Sequence, residues 1–223
     1  MMIENRQRLL LTFAKGEEVK YISHLDLVRL WERALRRAGV PLAYSQGFNP
    51  QPKITVAAPL PVGFTGRAEL IDVLLAGPVD LPDFARKVQG TLPGGVELLV
   101  VEEIPLKAPA LPALVRRAEY RASVEAEERA EEMTERVAGL LAAEQLFRQR
   151  KKRGQMRKYD LRPLIEELWV EGCAGGQCVF GMLLRAESQA TGRPDEVLAA
   201  LGLEERQWAI ERVRLFFSVQ PCL

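Results

Sequence analysis

The sequence predicts an α+β protein built as two tandem β-α-β-β-α-β halves with antiparallel sheets. Three observations predict it. Short runs alternating apolar and polar residues interleave with longer runs of helical spacing, in the same order twice. A stretch rich in proline and alanine, with Pro105, Pro109 and Pro112, separates the two series. The length of 223 residues fits two domains of roughly 100 residues each.

In the first half, residues 6–13 alternate into a strand. Ser23 is placed to cap a helix reaching to about Ala38, because its hydroxyl can accept from a backbone N–H that the first turn leaves free. Leu27, Leu30, Trp31, Ala34, Leu35 and Ala38 gather on one arc of that helix, the face that meets a sheet. Residues 41–43 begin a second strand that 54–57 resumes. A third strand over 68–75, a helix over 80–89 and a strand over 96–103 complete the ferredoxin-like order. The prolines of 105–117 disfavour a helix or a central strand there.

The second half repeats the logic with a strand over 119–124 and a helix over 127–141. A hairpin follows, 146–152 with 155–161, turning at Arg153-Gly154. Strand 179–186, helix 194–201 and strand 210–219 close it. Between them, Leu164, Ile165, Leu168 and Trp169 fit helical spacing better than alternation. The expected domains are therefore 1–104 and 118–223, joined by a linker at 105–117.

Composition is that of an ordinary soluble protein, 48% hydrophobic and 27% charged. No apolar run approaches the ~18 residues that span a bilayer, so no membrane partner is expected. The mixed-charge N-terminus does not read as a signal peptide, and three cysteines are too few for a secreted disulfide scaffold, which makes the cytoplasm the expected location. Cys173 and Cys178 lack the two further ligands of a zinc or iron–sulfur site, so no metal site is expected. No nucleotide-binding, serine-nucleophile or paired-carboxylate motif is present.

A net charge of +1 conceals strong segregation. Residues 148–162 hold eight basic side chains against Asp160, while 125–135 hold six glutamates against Arg129. On the first helix Arg29, Arg33 and Arg36 stand at i, i+4 and i+7, with Arg37 beside them. Guanidinium groups grip phosphate bidentately, so this face reads as a phosphate contact; its plain alternative is a solvated face with Asp26–Arg29 or Glu32–Arg36 pairs. The loop Gln46-Gly47-Phe48-Asn49-Pro50-Gln51-Pro52-Lys53 reads as a stiff excursion, with Asn49 able to bond its own chain. It presents Phe48 to stack on a base and Lys53 to meet a phosphate. The basic hairpin adds Arg150, Lys151, Lys152 and Arg153 to the nucleic-acid-binding candidates. Glu69 and Asp72 are the acids able to approach a site from the sheet, or to lie on a plain outward face.

His24, the only histidine, opens the first helix beside Tyr21 and Ser23, where the backbone favours anions. It reads either as a half-buried structural residue or as a general acid or base assisted by Tyr21 and Lys53.

The stretch YISHLDLVRLWERALRRAGVPLAYSQGFNPQPKITVAAPLPVG, with KYDLRPLI further on, resembles the radical-SAM-linked proteins, a bacterial family of unknown function. That resemblance implies an accessory chain, stand-alone or fused, that works with a radical SAM protein. The iron–sulfur cluster and S-adenosylmethionine are then expected only in the partner, and no cofactor in this chain, which has no three-cysteine cluster loop. Members lie near ribosomal-protein and ribonuclease genes, which leans toward RNA. The expected function is thus a non-catalytic, RNA- or substrate-binding partner of a radical SAM protein in RNA modification. Two alternatives stay open. Tandem ferredoxin-like halves with one histidine near the first helix also resemble the CRISPR repeat-processing endoribonucleases, which cleave RNA without metal, with His24 in the catalytic role. The other alternative is a pure protein–protein adaptor.

Overall fold

Strand β1 (Gln7–Lys15) places Leu9, Leu11 and Phe13 on one face, and all three are fully buried. An apolar face of this kind needs a covering layer, which two helices supply; Leu10, on the other face, is buried as well. The computed structural model describes residues 6–152 and 155–219. The chain is an α+β protein with a mostly antiparallel sheet, as the patterning predicts. It divides into two compact units, residues 1–115 with 214–223, and residues 116–213.

The first unit runs β1, α1 (His24–Arg37), β2 (Ile54–Val56), β3 (Thr65–Leu75), α2 (Leu81–Gln89) and β4 (Val96–Glu103). Its strands are ordered β2-β3-β1-β4, every neighbouring pair antiparallel. Leu27, Trp31 and Leu35 of α1 pack with Leu9, Phe13, Ile71 and Val73 in one core, to which α2 adds Phe84 and Val88. Trp31 meets Phe13 edge-on, their ring centroids 5.0 Å apart. The opposite face of the same sheet carries Arg8 and Asp72, alternating with those core positions.

The linker is not a passive spacer. Leu111 and Leu114 are buried, and Leu111–Leu114 forms a short helical turn, α3, with Pro112 in its first turn. Proline is tolerated there because its missing N–H would have no partner anyway, so the expectation of no helix fails at this point. Arg8 holds the segment down: its guanidinium donates to the carbonyls of Ala108 (2.5 Å) and Pro109 (3.2 Å). Asp72 receives Arg8 Nε at 3.0 Å, and both side chains are about nine-tenths buried. Asp72 is thus a structural partner of Arg8, not an outward acid, and Glu69 is buried as well. The C-terminal residues from Arg214 group with the first unit rather than the second, Ser218 N donating to Leu114 O at 2.9 Å.

The second unit contains most of β5 (Val115–Glu125), then α4 (Ala130–Ala142), β6 (Phe147–Lys152), β7 (Gln155–Asp160), β8 (Ile165–Ala174), β9 (Gln177–Glu187), β10 (Ala190–Thr191), α5 (Pro194–Ala200) and the start of β11 (Trp208–Phe217). Its sheet has β9 beside β5 and β5 beside β11, with β8 and β10 both pairing β9. β6 and β7 form a separate two-stranded ribbon. The segment with helical spacing is a strand: after a single 3-10 turn at Arg162–Leu164, β8 pairs antiparallel with β9. Gly175 and Gly176 make the two-residue turn between them, with φ of 61° and 75°, the positive values a tight hairpin turn demands at both positions. Cys173 and Cys178 stand opposite each other beside this turn and are joined as a disulfide. No helix among the described residues is long and apolar enough to cross a membrane.

Candidate nucleic-acid interface

The first unit's helix α1 is fixed at both ends. Ser23 Oγ accepts from Asp26 N at 3.2 Å and donates to the Asp26 carboxylate at 2.7 Å. At the C-terminus Gly39 takes φ 72°, Gly39 N donates to Arg36 O and Val40 N to Leu35 O, each at 3.0 Å. This pairing satisfies the last carbonyls and sets where the chain leaves the helix. With Leu27, Trp31, Ala34 and Leu35 turned inward, the arginines must face solvent.

Arg29, Arg33, Arg36 and Arg37, with Leu30, Pro93 and, at the N-terminal end of the helix, Asp26, line a groove of about 560 Å³. The arginine charges are unevenly compensated. Arg29 pairs with Asp26 at 3.3 Å and Arg36 with Glu32 at 3.0 Å. Arg37 donates to the Thr91 carbonyl at 2.6 Å, which positions the group without cancelling its charge. Arg33 is exposed and has no ion pair or hydrogen bond among the described residues. The Ser23 hydroxyl, with Arg29 adding a further contribution, holds the Asp26 carboxyl below the usual range against the opposing effect of burial. Exposed ion pairs are weak and screened by salt, so an incoming phosphate can compete for Arg29 and Arg36.

Arg36 also reaches out of the groove. Its Nε donates to the Tyr44 hydroxyl at 3.0 Å, and its guanidinium lies 5.6 Å from the Tyr44 ring centre. Tyr44 in turn bridges Pro52. Tyr44 was not among the sequence candidates, because nothing local marks it as a partner of a residue eight positions earlier. Between Tyr44 and Pro52 the loop closes on itself: Ser45 N donates to Gln51 O at 2.8 Å and Gln51 N to Ser45 Oγ at 2.9 Å. The loop is pinned by Ser45, whereas Asn49 makes no hydrogen bond among the described residues. Phe48 stands at the tip, fully exposed at 111% of its reference area, beside Gly47 with φ 127°.

Lys53 does not line the arginine groove; it shares a different cleft with Ser45, Gln51 and Pro52 of the loop neck. This second cleft, of about 390 Å³, also holds Thr55 and Asp72, on the sheet face away from α1. Strand alternation sends Lys53 and Thr55 to that face, while Ile54 and Val56 go to the core. His24, at the start of α1, is therefore separated from Lys53 by the sheet, and its Nδ1 is buried with no hydrogen-bond partner among the described residues. Tyr21 is 73% exposed, its ring centre 5.2 Å from Lys20 Nζ. The three catalytic candidates form no single cluster. Among the described residues no group of three or more metal-ligating side chains occurs either.

In the second unit, the β6–β7 ribbon sets Arg148 opposite Tyr159, Arg150 opposite Arg157 and Gln149 opposite Lys158. Lys158 Nζ sits 3.8 Å from the Phe147 ring centre, and Arg148 pairs with Glu196 at 3.2 Å. Arg157 is exposed without an ion pair among the described residues. Arg153 and the side chains of Arg150, Lys151 and Lys152 lie outside what is described.

The chain belongs to a family described as "Uncharacterized protein conserved in bacteria (DUF2344)", whose sequence profile matches residues 8–194. No curated protein matches it. Among solved structures, it resembles a chain of an H/ACA RNP bound to a substrate RNA containing 2'-deoxyuridine, at 13% identity and TM-score 0.46, covering 96% of this chain and 49% of that one. A chain of a Cbf5-Nop10-Gar1 complex gives 14% identity and TM-score 0.49, over 96% of this chain and 50% of that one. A putative glycine cleavage system transcriptional repressor gives 12% identity and TM-score 0.25, over 94% and 98%. The chain thus spans about half the length of the first two.

Proposed function

We propose that this family member is a non-catalytic nucleic-acid-binding module that takes RNA and presents it to a radical SAM protein. The observation that carries the binding half is the arginine groove of α1, where Arg33 and Arg37 keep their charge uncompensated by any carboxylate among the described residues. Rows of guanidinium groups neutralise phosphates and give affinity that is strong in low salt and largely blind to sequence. Exposed Arg157 on the ribbon of the second unit supplies a further phosphate contact. The choice of RNA, and the radical SAM partner, rest on the likeness of residues 21–63 and 158–165 to the radical-SAM-linked proteins.

Each half has its own test. Purified protein titrated into a fluorescein-labelled RNA of about twelve nucleotides binds at micromolar or tighter concentration in low salt and releases it as salt rises. No binding at low salt overturns the nucleic-acid reading. For the partner, the tagged chain is recovered from cells with and without ribonuclease treatment. An iron–sulfur protein retained through ribonuclease supports the partnership, and its absence from both preparations removes it.

A further inference from the structure

The geometry points to an unpaired strand, rather than a duplex, as the form of nucleic acid that the α1 face takes. This rests on the proposed nucleic-acid-binding role and specifies its ligand.

The Arg36–Tyr44 contact ties the end of the arginine row to the base of the 45–51 loop. That loop is closed at its neck by the Ser45–Gln51 hydrogen bonds and the Tyr44–Pro52 bridge, and Pro50 limits its freedom further. Its tip holds the Phe48 ring wholly in solvent. The row of phosphate-gripping groups therefore ends at the neck of a short, pinned stalk that carries an exposed aromatic face, the neck whose Ser45, Gln51 and Pro52 also line the second cleft. In a duplex, base faces are stacked inside and Phe48 would meet only sugar and phosphate. An unpaired strand offers both things this surface can bind, phosphates for Arg29, Arg33 and Arg37 and the face of a base for Phe48. Any base has such a face, so the track selects for strandedness and not for sequence. From Arg29 to Arg36 the helix rises about 10 Å, and with the loop added the track suits about four to six nucleotides.

The test measures anisotropy of a labelled oligouridylate of about twelve nucleotides and of a fully paired RNA duplex of the same length. Each is titrated with the wild-type protein, Phe48→Ala, Phe48→Trp and the triple variant Arg29→Ala/Arg33→Ala/Arg37→Ala. Phe48 is fully exposed, so Phe48→Ala keeps the fold, as an unchanged Tm verifies. The wild type prefers the single strand, Phe48→Ala loses about ten-fold on it and nothing on the duplex, and Phe48→Trp retains the preference. A preference for duplex, or an equal or absent effect of Phe48→Ala on the two ligands, overturns the inference. Loss in the triple variant alone leaves the nucleic-acid role standing without this track and frees Phe48 to serve an apolar pocket on a protein. No loss in the triple variant removes the α1 groove as the binding site altogether.

Discussion

Removing the α1 arginines should flatten the salt dependence of RNA binding by an amount the helix geometry sets. Arg29, Arg33 and Arg37 are spaced four residues apart, so the row is about 12 Å long at 1.5 Å per residue. Duplex geometry places a phosphate about every 3.4 Å of axis on each strand, and an unpaired strand spaces them more widely, so the row faces about three. Each neutralised phosphate contributes about −0.7 to the slope of log K against log salt for a single strand. The triple variant should therefore lose a slope of about 2, and Arg33→Ala alone about 0.7. Between about 50 and 200 mM salt, the wild type should lose about fifteen-fold more affinity than the triple variant. Anisotropy titrations at four salt concentrations read this directly. Arg37 also holds Thr91 O at 2.6 Å, so its loss costs about 1 kcal/mol of stability, which a thermal melt monitors separately. Parallel slopes for wild type and triple variant would refute the reasoning, since the phosphates would then be neutralised elsewhere.

Three further outcomes follow from the packing and the charges. Asp72→Ala strands the Arg8 guanidinium in a buried position and should cost about 3–5 kcal/mol in denaturant unfolding, whereas Arg8→Leu/Asp72→Leu should recover more than half of that loss. Gly181→Ala should cost about 1–3 kcal/mol and shift the tryptophan emission, because a Cβ there would coincide with the Trp169 indole. The carboxyl of Glu128 is held below its usual range first by a hydrogen bond from its own backbone N–H and then by Arg206 and Arg136, against the opposing effect of burial. A folded-state value below the unfolded one means that its stabilisation is present above the unfolded value and lost as pH falls through the folded one. Glu128→Gln should accordingly flatten the stability profile below about pH 4 and leave the neutral slope unchanged.

Helix α1 was legible because its signals are local. The Ser23 cap and the apolar arc lie within one short stretch, and each does in the fold what its chemistry suggests. Strand β8 was not legible, and the reason is geometric. Its pairing with β9 shifts register between Ile165 and Glu167 and again between Val170 and Gly172. The first bulge puts an extra residue between inward positions, so buried Ile165 and Leu168 fall three apart and imitate a helical period. The Gly175-Gly176 pair was the available counter-signal, since two adjacent glycines between alternating runs mark a tight hairpin. At the site, the arginine row could be read from periodicity, but the partners that set each charge could not. Thr91 and Tyr44 meet Arg37 and Arg36 at the surface only once the chain has folded. The cleft that Lys53 lines was hidden for a related reason. Lys53 follows the loop in sequence and shares a cleft with the loop neck, but strand alternation turns it away from the core face that α1 covers.

Asp26 separates a recognition surface from a merely solvated one, because it pulls stability and binding in opposite directions. At the N-terminal end of α1 its negative charge complements the helix dipole and completes the Ser23 cap. At the end of the arginine groove the same charge repels an incoming phosphate. Its depressed pKa, owed chiefly to the Ser23 hydroxyl, keeps it ionised throughout the neutral range. Asp26→Asn should therefore lower the melting temperature slightly and raise RNA affinity about three-fold at low salt, the size expected for one unit charge about 6 Å from a phosphate in water. The gain should fade as the Debye length shrinks in higher salt. If the row were only a solvated helix face, stability would still fall and affinity would not move. General damage to the fold would instead lower both together, so a gain in affinity accompanied by a loss in stability can come only from a groove that receives anions.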